Sequence, residues 1–397
     1  MLSWLYLLSS ALSLADATLI TKQLAAQNNG SDQRKDGEVA AKGEEEEVSV
    51  FRIAATAFGS TAAKATGLVF VVLMVSTLVA QLSKSGTLLA DCLPTAAATS
   101  NSPAVCTLLF AGVMAAVTFG GGVAVAERAN SALTSIMLAS FGAVALTAAR
   151  VAVPARLYRA NWSMLLPSTS DSWSIPVLLQ LLVYSETVPF VVRRLGGDRT
   201  KIRTAIAAGS AVPLLMCLVW TAAAIGAVPF DPLTFDPVQT LLAASSASFS
   251  SSQSLRLSIL SLAGSAISTT VIGTLLASTQ FLEDVFRLRR RRSSHAAAPT
   301  SAPERRDRLA RWAVRAAALV PCALVSAFGS RRLYYLATAF AGQFPVTLLW
   351  GLLPPLAYLR LAQRLAIPDR PSLVLPVLNI ALSVFMLAVN TAAALSP

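Results

Sequence analysis

Long apolar stretches recur along the whole chain, and short charged loops separate them. A bilayer core about 30 Å thick needs roughly 20 apolar residues per helix. Only helices and closed barrels cross lipid, because unpaired backbone groups are too unfavourable there. The stretches are continuous rather than alternating, which excludes a barrel. The pattern therefore predicts an all-α fold, a polytopic membrane helical bundle with about ten spanning helices.

The ten predicted segments account for most of the chain, which is 55% hydrophobic and only 13% charged. Soluble domains have about a quarter of their residues charged, so a large soluble core is excluded. The sequence thus predicts one membrane domain over residues 1–397, with a polar loop at 21–53 and a basic loop at 283–308. The segments run Leu2–Ile20, Ala54–Leu82, Val105–Phe119, Ala132–Val153, Ser174–Val192, Ala205–Val228, Leu255–Leu282, Leu309–Phe328, Leu333–Tyr358 and Leu373–Leu395.

The net charge of +12 is concentrated in a few loops. Arginines without interleaved aromatic residues indicate membrane orientation rather than nucleic-acid binding. The loops after the fifth and seventh segments are the most basic, so we expect them on the cytoplasmic side or its equivalent in an organelle. Alternation then places Met1 and the C-terminus outside, and Arg150, Arg156 and Arg159 fall on the side that the rule disfavours. A signal peptide is the alternative for the first segment, but no positive charge precedes Leu2.

Residues for enzymatic or metal chemistry are scarce. The single histidine, His295, lies in an arginine-rich loop, and the sequence contains no catalytic triad or zinc-ligand spacing. We therefore expect no enzyme activity, no cofactor and no metal site. Cys92 and Cys106 flank one loop, and a disulfide between them stays open.

The fifth segment, SIPVLLQLLVYSETVPFVVRR, differs from the others. Pro189 removes a backbone donor and clashes one turn back. Glu186 is an ionisable group inside an apolar span, which is unfavourable unless it faces a cavity or a partner. Together they predict a discontinuous helix whose freed backbone groups bind a substrate. A proline-kinked helix with Glu186 reaching the interface near Arg193 is the alternative.

Hydroxyl side chains cluster in the seventh segment at Ser265, Ser268, Thr269 and Thr270. Small and hydroxylated residues usually serve helix packing in membranes. Packing is therefore the default interpretation, and a binding role is the second one.

Several motifs lie between Leu182 and Trp220: Pro189, then Gly196-Gly197 followed by basic residues, then GSAVPL from Gly209 with Trp220. This stretch resembles the tryptophan/tyrosine permeases, the hydroxy/aromatic amino acid permeases of the amino acid–polyamine–organocation superfamily. The version with VYSE before Thr187 is more similar to plant and algal members, since bacterial members carry glycines and a histidine there. Looser similarities cover most of the chain.

The resemblance implies eleven helices on the leucine-transporter fold, built from two inverted five-helix repeats. On this plan residues 1–153 form an incomplete first repeat, 174–358 the second, and 373–395 an extra helix. The segment that begins at Leu2 matches the second helix of the family, and the glycine-rich first helix is absent. We therefore expect either a truncated gene model or a protein that has lost transport.

The resemblance also implies a function. We expect a secondary transporter of aromatic or other neutral amino acids, coupled to protons, in the plasma membrane or the plastid envelope. Tyr184, Ser185, Glu186 and Thr187 would line the substrate site, with Glu186 as the proton carrier. Ser268, Thr269 and Thr270 would lie opposite them. The alternative is a non-transporting membrane protein with a structural or sensing role.

Overall fold

The computed structural model describes residues 1–32, 49–92, 102–159, 174–227, 252–294, 303–330, 332–365 and 373–395. Within these ranges every regular element is helical. Three tighter or wider turns interrupt the α-helices: π segments at Ala116–Gly120 and Gly342–Leu352, and a 3₁₀ turn at Ser185–Thr187. The α-helices are α1 Leu2–Asp32, α2 Val50–Phe58, α3 Ser60–Cys92, α4 Pro103–Ala115, α5 Gly122–Val151, α6 Pro154–Arg159, α7 Ser174–Leu182, α8 Val188–Arg194, α9 Arg199–Ala227, α10 Ser252–Ser294, α11 Pro303–Phe328, α12 Leu333–Ala341, α13 Leu353–Arg364 and α14 Val374–Leu395.

Ten helical stretches of the described residues are long and apolar enough to cross a membrane. Each overlaps one of the segments expected from the sequence, which confirms the prediction of a polytopic helical bundle. The agreement follows from local chemistry, because the length of an apolar run sets the length of a span.

Several element boundaries differ from those expected. The second segment is not one helix, since α2 ends at Gly59, whose φ of 94° lies outside the range that other residues adopt. Helix α1 continues to Asp32, beyond the start of the loop expected at 21–53. Helix α10 likewise continues to Ser294, beyond the start of the loop expected at 283–308. Hydropathy locates the apolar part of a helix, whereas backbone hydrogen bonding continues through Lys, Gln and Arg, which are good helix formers.

Contacts divide the chain into two compact units. The first comprises Met1–Leu73, Leu165–Cys217 and Thr338–Pro397, and the second comprises Met74–Met164 and Leu218–Ala337. Helix α1 organises the first unit: it contacts α2, α7, α8, α13, α14, the 3₁₀ turn and the π segment at Gly342–Leu352. The interrupted fifth span is thus held against the first helix of the chain.

In the second unit, α5 packs along α10, and α11 packs against both α4 and α10. The core of this unit is apolar and includes Leu78 of α3, Ala126 of α5, and Val271 and Leu275 of α10. Cys106 also lies buried in this unit, and its thiol is free among the side chains that the structure describes.

Arg156 has a structural role in the second unit. Its Nη1 donates to the carbonyl oxygen of Gly226 at 3.2 Å, and the backbone N–H of Val153 donates to the same oxygen at 3.0 Å. Gly226 belongs to the last turn of α9, where carbonyl groups lack partners within the helix and favour a cation. Arg156 of α6 therefore has a hydrogen-bonding partner at the end of α9.

Candidate functional site

The fifth span is interrupted between α7 and α8. Helix α7 ends at Leu182, Tyr184 has φ −143° and ψ 3°, and a 3₁₀ turn at Ser185–Thr187 leads into α8. Pro189 lies in the first turn of α8, where its missing N–H removes no helical hydrogen bond. A continuous helix would instead lose that bond and bring the proline ring against the preceding turn. The chain is therefore broken here rather than only kinked.

The residues of this interruption differ in their surroundings. The Ser185 side chain is fully buried, and its Oγ has no hydrogen-bond partner among the described residues. Glu186 and Thr187 are exposed at the surface of the chain. Thr187 Oγ1 donates to the carbonyl oxygen of Tyr184 at 2.8 Å, which closes the turn. The interruption therefore presents one buried unsatisfied hydroxyl group and one accessible carboxyl group.

Tyr184 is half-buried, and its hydroxyl oxygen lies in the interior. That hydroxyl forms no hydrogen bond of regular geometry within the described ranges. Ser210 on α9 accepts a hydrogen bond from Trp4 Nε1 on α1 at 3.1 Å. This bond links α1 and α9 within the first unit through polar side chains.

The second predicted group, Ser268, Thr269 and Thr270, lies on α10 in the second unit. Ser268 is buried, and its hydroxyl donates to the Gly264 carbonyl oxygen at 2.7 Å. Thr269 and Thr270 are half-buried, and both donate to the carbonyl oxygen of Ala266, at 2.9 and 2.8 Å. Each hydroxyl group donates its proton to a backbone carbonyl group of its own helix, as expected for residues that serve helix packing. The lone pairs of the hydroxyl oxygens can still accept hydrogen bonds.

Charged residues gather at the end of the first unit where the loop from α8 to α9 lies. Asp16 is largely buried on α1 and forms ion pairs with Arg203 at 3.2 Å and Arg199 at 4.0 Å. Gly196 and Gly197 end α8 with φ of 61° and 82°, a backbone conformation suited to glycine. These contacts hold the loop that follows the interrupted span.

Asp198 begins α9 as its N-cap. Its Oδ1 accepts from the backbone N–H groups of Lys201 and Thr200, each at 3.1 Å. The bond from the Lys201 backbone, followed by the contact with the Lys201 side chain, lowers the pKa of this carboxyl group. Asp198 is therefore a structural residue of the loop.

One polar network in the first unit was not expected from the sequence. Tyr6 Oη and Ser383 Oγ lie 2.7 Å apart in the interior, and Asn379 Nδ2 donates to the Tyr6 carbonyl oxygen at 3.4 Å. Gly351 lies against the Tyr6 hydroxyl, and the neighbouring Trp350 is fully buried. Nothing in the sequence indicated that these residues meet, because Tyr6 lies in the first span and its partners lie in the last one. The sequence showed only that each of the two spans contains polar side chains.

No group of three or more His, Cys, Asp or Glu side chains comes together as a metal site within the described ranges. The predicted loop residue His295 lies outside those ranges. The polar groups at the interruption of the fifth span are hydroxyl groups, backbone carbonyl groups and the carboxyl group of Glu186.

Ten apolar spans among the described residues, one of them interrupted, define the chain as an integral, multi-pass membrane protein. It belongs to the tryptophan/tyrosine permease family, whose model matches residues 1–394. No curated protein matches the sequence. Permeases of this family are amino acid transporters rather than enzymes, so the chain belongs to a class that moves its substrate unchanged.

Proposed function

We propose that this chain is a secondary active transporter that moves aromatic or other neutral amino acids across a membrane by proton symport. The observation that carries the proposal is the interruption of the fifth span at Tyr184–Thr187. There a buried hydroxyl group, which has no hydrogen-bond partner in the described part of the chain, lies beside an ionisable side chain. Discontinuous helices place unpaired backbone groups at membrane depth, where they bind substrates and coupling ions.

Tyr184, Ser185 and Thr187 are the substrate-binding side chains in this proposal. Ser185 supports this role because a hydroxyl group buried in a membrane protein is unfavourable unless it has a partner, and a bound substrate supplies one. Ser268, Thr269 and Thr270 are proposed as a second set of contacts, through the lone pairs that their own helix leaves unused.

Glu186 is the proposed proton carrier. A carboxyl group inside a span changes its charge when it binds a proton, and this change couples proton movement to a conformational step. Pro189 has the separate role of keeping the helix interrupted, as its place in the first turn of α8 indicates. Replacing Glu186 with glutamine keeps the shape of the side chain but fixes it in a neutral state.

Uptake of radiolabelled tryptophan and tyrosine into proteoliposomes, with and without an inward proton gradient, tests this proposal. We expect the gradient to drive accumulation by the wild-type chain. Glu186→Gln should lose gradient-driven accumulation and retain exchange of external for internal amino acid, since exchange needs no net proton movement. Glu127→Gln, which changes another carboxyl group inside a span, is the matched control and should behave as wild type.

Two results contradict the proposal in different ways. Absence of both uptake and exchange by the wild-type chain would leave the structural or sensing role as the explanation. Unchanged accumulation by Glu186→Gln would remove Glu186 from the coupling mechanism while leaving transport intact.

A further inference from the structure

Two neighbouring helices of the second unit extend past their apolar spans with strongly basic turns. The span of α10 ends at Glu283, but the helix continues to Ser294. The span of α11 begins at Arg311, whereas the helix begins at Pro303. The two helices pack against each other and only residues 295–302 connect them, so both extensions lie on the same side of the membrane. The extensions contain three acidic residues against eight arginines: Arg287, Arg289, Arg290, Arg291, Arg292, Arg305, Arg306 and Arg308.

Arg315 lies one turn inside the span of α11 and contacts two aromatic rings. Its guanidinium carbon Cζ is 5.2 Å from the centre of the Phe119 ring and 5.3 Å from the centre of the Trp312 ring. Both distances are within the range of cation–π attraction. Phe119 belongs to the π segment that ends the span Pro103–Gly120. The end of that span and the beginning of the α11 span therefore meet at this arginine.

The two ring contacts hold the charge of Arg315 and leave its hydrogen-bond donors for another group. A guanidinium group carries five N–H donors in a planar fork that matches the oxygens of a phosphate group. An aromatic ring attracts the cation but supplies no oxygen acceptor. Among the described residues, the interaction partners of Arg315 are these two rings. The arrangement therefore suits an anion with several oxygen atoms.

Arg311 and Trp312 form the exposed surface beside Arg315. Arg311 is exposed and precedes Arg315 by four positions, so the two charges lie on one side of α11. Like charges at this spacing destabilise a helix, and an anion that contacts both removes the repulsion. Trp312 is 52% exposed, and a tryptophan at the end of a span is typical of the depth of lipid headgroups.

An apolar surface continues from this point along the same helix. Val320 and Leu324 are exposed, and they follow Trp312 at multiples of four positions, so they lie on the same side of α11. A phospholipid has both parts that this surface requires, a phosphate group for the two arginines and an acyl chain for the apolar side chains. A soluble anion has only the first part.

We propose that the surface formed by Arg311, Trp312 and Arg315 binds the headgroup of an anionic phospholipid, with an acyl chain along Val320 and Leu324. The basic extensions of α10 and α11 strengthen this site, because clusters of arginine beside a span attract anionic lipid. Phe119 is a positioning residue that keeps the Arg315 guanidinium at the depth of the phosphate group. The proposal does not depend on which substrate the chain transports.

Native mass spectrometry of the full chain, purified in a non-ionic detergent, tests the proposal through the affinity of the first bound lipid. The probes are dioleoyl phosphatidylglycerol, which is anionic, and dioleoyl phosphatidylcholine, which has the same acyl chains and no net charge. One arginine near the surface corresponds to about fivefold in affinity. We therefore expect wild type to bind phosphatidylglycerol at least fivefold more tightly. Arg311→Gln and Arg315→Gln should each reduce its affinity by about that factor.

Three variants separate a defined site from general attraction. Arg315→Lys keeps the charge without the planar fork, so it should lose part of the preference for phosphatidylglycerol. Phe119→Leu keeps every charge but removes one ring that holds Arg315, so it should weaken phosphatidylglycerol binding as well. Arg194→Gln is the matched control, since it removes an exposed arginine of the first unit and should leave the preference unchanged. Unchanged affinity for phosphatidylcholine reports an intact fold in each variant.

Four results would overturn the proposal. Wild type binds the two lipids equally, or the preference for phosphatidylglycerol persists when Arg311 and Arg315 are both replaced by glutamine. Arg194→Gln reduces the preference as much as Arg315→Gln does, which would indicate attraction to net charge alone. Glycerol 3-phosphate, which has no acyl chain, displaces phosphatidylglycerol at equal concentration, which would indicate a site for soluble anions.

Discussion

The buried contact among Tyr6, Ser383 and Gly351 offers a sharp test of packing in the first unit. A Cβ atom placed on Gly351 would overlap the Tyr6 hydroxyl, and it would lie 2.8 Å from Tyr6 Cζ and 3.1 Å from Ser383 Oγ. Gly351→Ala therefore forces the tyrosine ring out of position. Tyr6→Phe removes the hydroxyl that causes the closest overlap, at the loss of the 2.7 Å hydrogen bond to Ser383.

The magnitudes follow from these contacts. Loss of one hydrogen bond lowers the free energy of unfolding by about 0.5–1.5 kcal/mol, and measured values within membranes average about 0.6 kcal/mol. Overpacking of the kind that Gly351→Ala introduces lowers it by about 1–3 kcal/mol. Because both changes act on the same hydroxyl, we expect the double variant to be about 1 kcal/mol more stable than the sum of the single effects indicates.

Titration with sodium dodecyl sulfate in mixed micelles, followed by tryptophan fluorescence, measures these differences. The fully buried Trp350 beside Gly351 is a suitable reporter of the region. Gly273→Ala is the control, since its added Cβ meets no atom within 4 Å, and it should be neutral or slightly stabilising. Strict additivity of Gly351→Ala and Tyr6→Phe would refute the reasoning.

Three further outcomes are expected. Gly342→Ala should destabilise the fold by about 1–3 kcal/mol or more in the same titration, because its Cβ would overlap the backbone carbonyl group of Pro176, which cannot move aside as a side chain can. Arg156→Ala should destabilise it by about 1 kcal/mol through loss of the bond to the end of α9, while Arg150→Ala, at an exposed position, should not. Asp198 has a lowered pKa in the folded protein, so its stabilising effect is present above the unfolded pKa of about 3.9 and is lost as pH falls through the folded value. Asp198→Asn should therefore reduce the loss of stability on acidification, measured as the unfolding midpoint against pH.

The interruption of the fifth span could be predicted from the sequence, whereas its surroundings could not. Pro189 and Glu186 mark the fifth span as unusual because each is costly in an ordinary membrane helix, and that cost is a property of the residue itself. The hydrogen bond from Trp4 to Ser210 was not accessible in this way, because a serine in an apolar helix fits packing equally well.

The sequence by itself determined that this chain crosses a membrane and where the ten spans lie. Hydropathy is a local quantity, and a regular membrane helix satisfies its backbone hydrogen bonds internally, so no information from elsewhere in the chain is needed to locate a span. Only the tertiary structure decided which polar side chains meet inside the bundle. Tyr6 and Ser383 are 377 positions apart, and Asp16 and Arg203 are 187 apart. Such partners are selected by the packing of whole helices, which the pattern of any single segment does not contain.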